Sequence, residues 1–265
     1  MNALLPIPQA LEVFLRGFST TRSFIRPYLV SQIDSSLWLL ADPPSASGPQ
    51  RTVEAITYNS DPEAVVQTLQ NLNLPRYALC VLVEDAAAVP ETCTAYKQLG
   101  YRFHGREPLF ALDIGRRVRF NSYDVRRVID AANAEKVAKA ARARQIFPEH
   151  LTEADSICRV YAAFDGDTPI GWARSIRTHP DYSWVAGLFV QPSYRRQGIG
   201  RTLMSTMLDD DARYGVKWSV LTASSAGAKL YPHLGYVERG LLLIFSPRKN
   251  VNKEGGRDGD SGNQA

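Results

Sequence analysis

Arg195-Arg196-Gln197-Gly198-Ile199-Gly200 sets two guanidinium groups and two glycines at the junction of a strand-like and a helix-like run. The run before it is Ser183 to Val190 and the run after it is Arg201 to Tyr214. Glycine lets backbone N–H groups approach an anion closely, and a helix N-terminus adds a favourable dipole. Strand, basic glycine loop and helix together make a phosphate cradle. The residues narrow whose phosphate it is. A nucleotide-hydrolysing loop needs Lys and then Ser or Thr after its last glycine, but Arg201 follows Gly200. A dinucleotide fingerprint needs three glycines in another rhythm. Taken by itself, the hexapeptide also fits a glycine-bearing turn with solvated arginines.

Downstream lie the apolar run Trp218 to Ala223, then Leu230-Tyr231-Pro232-His233-Leu234-Gly235-Tyr236, then the strand-like Leu241 to Phe245. The Arg-x-x-Gly-x-Gly loop resembles the pyrophosphate loop of the GNAT acetyltransferase superfamily. The later segment is similar to that superfamily's closing helix, with its Tyr, Leu-Gly-aromatic and last strand. The resemblance covers roughly Val118 to Pro247, about half the chain.

The resemblance implies an acetyl-CoA-dependent N-acetyltransferase acting directly on a primary amine, with acetyl-CoA as co-substrate and no metal. It implies that the pantetheine arm lies beside Leu188, Phe189 and Val190 like an added strand, with amides at a bulge polarising the thioester carbonyl. It further implies that backbone N–H groups of Arg196, Gln197, Gly198, Ile199 and Gly200 hold the pyrophosphate, with Arg195 and Arg196 adding charge. By the same resemblance, Tyr231 occupies the position of the family's usual general acid for the departing thiolate; a phenol of pKa near ~10 suits that task. Ser224 stands where the family often has Asn, which puts one polar contact to CoA in doubt. No acid lies in Ser183 to Val190 to serve as the base. His179, Asp181, Glu149, His150 or a water chain remain candidates, and Cys158 reads as structural. A small-molecule or peptide amine is the expected partner. A non-catalytic acyl-CoA-binding protein is the alternative.

The elements that must position this site read as a mixed α+β fold. Strands are expected at Val118 to Val128, Arg159 to Phe164, Ile170 to Ile176 and Trp184 to Val190, with a helix over Asp130 to Ala143. On the helix after the loop, Ile199, Leu203, Met207 and Leu208 share a face, with Asp209, Asp210 and Asp211 near the outer end. Ala95-Tyr96-Lys97-Gln98-Leu99-Gly100-Tyr101 repeats the pattern around Tyr231, and the two tyrosines are 135 positions apart (231 − 96). Val53 to Tyr58, Ala64 to Leu72 and Tyr77 to Val83 fall where the corresponding strand, helix and strand belong. The first copy has Asn59-Ser60-Asp61-Pro62-Glu63 in place of the glycine loop. Its carboxylates cap the helix and repel a pyrophosphate. The expected organisation is therefore a degenerate acetyltransferase-like domain without the CoA loop at residues 1–115, a catalytic domain at 116–247 and a disordered tail at 248–265.

Composition sets the outer limits. The 265 residues are 45% hydrophobic and 22% charged, ordinary for a globular protein. A net charge of +4 without a basic stripe argues against nucleic acid. No run suits a membrane span or a signal peptide. Cys80, Cys93 and Cys158 have neither metal-ligand nor disulfide spacing, so a reduced, cytoplasmic setting is expected. The sequence leaves the oligomeric state open.

Overall fold

Among the described residues, eleven strand-forming runs pair into one mixed sheet in the order β1-β2-β3-β4-β11-β5-β10-β9-β8-β7-β6. The computed structural model describes residues 4–46, 48–151, 156–224 and 227–248. The first half contributes helix α1 (Ile7–Ser23), strands β1 (Leu29–Gln32), β2 (Leu37–Ala41) and β3 (Val53–Tyr58), helix α2 (Pro62–Asn71), strand β4 (Tyr77–Val83), helix α3 (Val89–Gln98) and strand β5 (Tyr101–Asp113). The second contributes β6 (Val125–Arg127), α4 (Ala131–Ala141), β7 (Cys158–Asp165), β8 (Thr168–His179), β9 (Tyr182–Val190), α5 (Ile199–Arg213), β10 (Trp218–Thr222) and β11 (Val237–Pro247). The fold is α+β, as expected. The tail assigned to 248–265 lies, apart from Arg248, outside the described residues.

Side-chain alternation distributes the helices over the two faces. Leu40, Ile56, Leu82, Val220 and Trp184 point to the face covered by α1. Val160, Ala162 and Trp172 point to the same face and meet Val137 of α4. Tyr161, Ala163, Ala173 and Val185 point oppositely, onto Leu203, Met204 and Met207 of α5. Leu39, Val53, Leu79 and Val81 face Val65, Val66 and Leu69 of α2 and Tyr96 of α3. Helix α1 crosses from the first half onto β8 and β9 of the second. Gly17 permits that crossing, since a Cβ there would lie 2.1 Å from Trp184 Cγ.

The two halves interlock. Each has one parallel pair joined by a helical crossover: β3 and β4 through α2, β9 and β10 through α5. Strand β11 pairs antiparallel with both β4 and β5, while β5 pairs antiparallel with β11 and β10. The last strand of each half therefore sits within the other half's part of the sheet.

Two sequence expectations need correction. Of the strand expected at Val118 to Val128, only Val125–Arg127 pairs. The residues before it dock on α5 instead: the Phe120 N–H donates to Ser205 Oγ at 2.9 Å and Arg117 Nε to Asp209 at 2.6 Å. Asp211, expected near the outer end of its helix, is fully buried. It accepts from Arg159, from Ser175 Oγ at 2.7 Å and from Ser183 Oγ at 2.8 Å.

Candidate active site

The site begins where two parallel strands part. Strands β9 and β10 are in register only from Tyr182↔Trp218 to Trp184↔Val220. Beyond Trp184, β9 keeps its ladder to β8 as far as Val190, but it has no second partner among the described residues. The register to β8 shifts between Trp172↔Phe189 and Arg174↔Ala186. Gly187 takes φ +64° there, and the bulge is exposed. Leu188, Phe189 and Val190 are half-buried, with the Phe189 ring stacked on Trp172 at 4.8 Å. Their side chains pack while the backbone edge towards β10 stays open.

That edge leads into the glycine loop. Gly198 at φ +91° is the N-cap of α5, and Arg196 takes φ +61°. Gly198 is required for its conformation, since nothing lies within 4 Å of where its Cβ would be. Gly200 differs: a Cβ there would make ordinary contacts, 3.6 Å to Leu230 and 3.8 Å to Val190. Thr202 N–H donates to the Gly198 carbonyl at 3.0 Å and closes the first turn. The N–H groups of residues 197–201 have no acceptor among the described residues. They form a cluster of donors on a 15-residue helix.

The flanking side chains divide the work. Arg195 Nε donates to the Val190 carbonyl at 3.0 Å and its guanidinium covers Phe189 at 5.6 Å, which ties the loop to β9. Arg196 is exposed at the left-handed position. Gln197 is held by the Ser193 carbonyl at 3.3 Å and by Tyr123 Oη at 3.2 Å. Ile199 is buried and anchors the helix, leaving only its backbone to a ligand.

Tyr231 opens a short 3-10 turn, Tyr231–Leu234, beside the first turn of α5, where Leu230 overlies Gly200. It packs on Phe110 at 5.8 Å and Tyr236 at 5.6 Å, and burial pushes its phenol up to about 12. Tyr96 is set similarly against Tyr101 at 5.8 Å and Phe245 at 5.1 Å. Each residue of the second trio stands at the same 135-position offset (231 − 96, 236 − 101, 245 − 110), so each tyrosine meets a phenylalanine from the opposite half. Ser224 Oγ accepts from the Gly227 N–H at 3.3 Å and so shapes the approach to Tyr231.

The base candidates scatter. His179 and Asp181 lie at the closed end of β9, away from the bulge. The Asp181 N–H donates to His179 Nδ1 at 3.2 Å, and Asp181 pairs with Lys217 at 3.0 Å. Glu149 is exposed on the Pro148–His150 turn, and His150 is half-buried with Nδ1 unpartnered among the described residues. Phe147, just before that turn, stacks on Phe24 of the first half at 5.0 Å. Burial pushes the Cys158 thiol up to about 12, which leaves no nucleophilic thiolate. Sequence reasoning missed Arg174, which emerges beneath the Gly187 bulge. A lone charge inside the apolar run Ile170 to Ile176 was its signal.

Residues 156–238 match the family model described as acetyltransferase (GNAT) domain. A stretch of 70 residues is 34% identical to [Ribosomal protein bS18]-alanine N-acetyltransferase of Escherichia coli (strain K12), covering 25% of this chain and 47% of that protein. The match thus spans about half the length of that relative. A GCN5-related N-acetyltransferase from Kribbella flavida superposes with TM-score 0.61 at 16% identity over 92% of this chain and 96% of that one. One from Sphaerobacter thermophilus gives 0.53 at 13% identity over 82% and 81%. The match to the GNAT domain model is thus confined to residues 156–238, and the sheet shares its architecture with solved GNAT structures. Among the described residues no helix is long and apolar enough to cross a membrane. Nor do three metal-ligating side chains of the described residues come together.

Proposed function

We propose that the protein is an acetyl-CoA-dependent N-acetyltransferase that moves the acetyl group directly to the primary amine of a small molecule. One observation carries the reading: an unpaired strand edge, opened by a bulge, runs straight into a helix N-terminus with unused N–H donors. An extended pantetheine arm can add to that edge as a strand, and its diphosphate then meets the cradle of residues 196–200. At the bulge the backbone can polarise the thioester carbonyl. The amine nitrogen attacks that carbon, the C–S bond breaks, and the thiolate takes its proton from Tyr231. A phenol raised to about 12 stays protonated until that moment. The proton lost by the amine passes to solvent or to a base in the acceptor loop.

The first half, residues 1–115, is a degenerate copy of the same domain, and residues 116–247 are the catalytic one. Its β3/β4 pair is in register over its whole length, Val53↔Tyr77 to Tyr58↔Leu82, and offers no gap. Its helix end is already occupied, since Asp61 accepts from the Ala64 N–H at 2.9 Å. The 135-position offset shared by the two aromatic trios supports common descent of the halves. The unpaired thiols of Cys80, Cys93 and Cys158 suit a reduced, cytoplasmic setting.

The test is calorimetric titration with acetyl-CoA beside thiol release over an amine panel. Saturable binding with amine-stimulated release is the expected outcome. Tight binding without turnover would make the chain an acyl-CoA-binding protein, and no binding would remove the reading altogether.

A further inference from the structure

Among the described residues, Arg174 is a buried cation without a counter-ion. It lies in the middle of β8, 9% exposed, and its guanidinium covers the Phe24 ring at 4.8 Å. Nε has no hydrogen-bond partner, and among the described residues no carboxylate pairs with the group. The contrast is Arg159, more deeply buried still, which is matched to Asp211. Burial pulls the Arg174 pKa below the ordinary guanidinium range. A protein holds an unmatched buried charge only at a cost, and such a group marks a place completed by something else.

Its position says what that is. One terminal nitrogen lies 3.1 Å from the point a Gly187 Cβ would occupy. Gly187 is exposed and forms the bulge of β9. The guanidinium thus sits just beneath the open backbone at the acyl end of the cleft. At about 3.4 Å per residue, Val190 is already about 10 Å further along, and the glycine loop lies beyond it. The diphosphate cannot be its partner. Phe24, stacked on Phe147, supplies an apolar wall drawn from both halves.

We propose that Arg174 binds a carboxylate on the acceptor, so that the amine acetylated here is an amino-acid-like one held between the two halves. The inference rests on reading the β9 cleft as the acyl-transfer site. A single planar guanidinium matches the fork and the single charge of a carboxylate. A phosphate dianion would leave one charge unmet.

The experiment measures thiol release from acetyl-CoA with L-amino acids, each paired with its carboxamide, and with O-phosphoethanolamine. It compares the wild-type protein with Arg174→Gln and Arg174→Lys. Free acids should be favoured at least about tenfold in kcat/KM, chiefly through KM. Arg174→Gln should erase that preference and Arg174→Lys restore part of it, with acetyl-CoA affinity unchanged by calorimetry. Carboxamides that react as well as acids, a preference for the phosphate, or an equal loss on acids and carboxamides in Arg174→Gln would each overturn the proposal. Failure of the wild-type protein to bind acetyl-CoA would instead overturn the reading of the cleft. Should no amine in the panel react, the Arg174 Nε–H resonance under titration with N-acetyl amino acids decides. A saturable shift supports the carboxylate site, and none refutes it.

Discussion

At Tyr231 burial has opposite consequences for structure and for chemistry. The ring is packed between Phe110 and Tyr236, so Tyr231→Phe keeps the contacts and the fold. What it removes is the proton. We expect turnover to fall about 100-fold with little change in acetyl-CoA affinity, read from steady-state kinetics beside calorimetry. An acid form is lost as pH rises through its pKa. With the phenol at about 12, Tyr231 itself should impose no fall in turnover below pH ~10. Asp211 poses the reverse case, a buried carboxylate far from the reacting atoms. Asp211→Asn would leave Arg159 charged and unmatched in the core, with Nε and one terminal nitrogen already unpartnered. The expected loss is about 3 kcal/mol in urea unfolding, and an unchanged midpoint would contradict that role.

The β9–loop–α5 element turns these side chains into a site, and its two glycines separate conformation from access. Gly198→Ala forces a left-handed φ on a residue with a Cβ and should cost about 1–2 kcal/mol of stability as well as acetyl-CoA affinity. Gly200→Ala adds a methyl that the protein itself tolerates at 3.6 Å. It should stabilise the helix by about 0.5–1 kcal/mol yet weaken acetyl-CoA, and Gly200→Leu should abolish binding. Asp61→Ala removes a helix cap in the other half, costing about 1 kcal/mol with acetyl-CoA affinity untouched. Equal effects at positions 61 and 200 on the titration would place the cradle wrongly. Much of this element was legible because its signals are local: an apolar run, turn residues, then helical periodicity. Strands β3 and β4 were legible for the same reason and match Val53–Tyr58 and Tyr77–Val83. The segment before Val125 misled because its apolar residues serve α5 rather than a ladder. Helix α1 and Arg174 escaped notice because their meaning depends on distant partners. Phe24 reaches Arg174, and Gly17 reaches Trp184, only once the sheet has formed.

At the scale of the whole molecule, the exchange of last strands decides what can fold alone. No local pattern reveals it, because β5 and β11 read as ordinary closing strands of their own halves. In the sheet they lie side by side, paired from Val237↔Ala111 to Pro247↔Tyr101. Residues 116–265 expressed alone would lack β4 and β5, leaving β11 with neither of its partners and β10 with one bare edge, and exposing the buried Leu241, Leu242, Leu243 and Phe245. Bare apolar edges of that kind aggregate or swap. They would also lack α1, whose Phe14 packs edge-on against Trp184 at 5.6 Å. The boundary at 115/116 is then a seam in sequence and not in folding. Each fragment alone should be insoluble or swapped into a dimer, while co-expression of 1–115 with 116–265 should restore a soluble complex that binds acetyl-CoA. A monomeric 116–265 fragment that unfolds cooperatively and binds acetyl-CoA would show instead that the second half needs nothing from the first, and the acceptor site would then have to be built without Phe24.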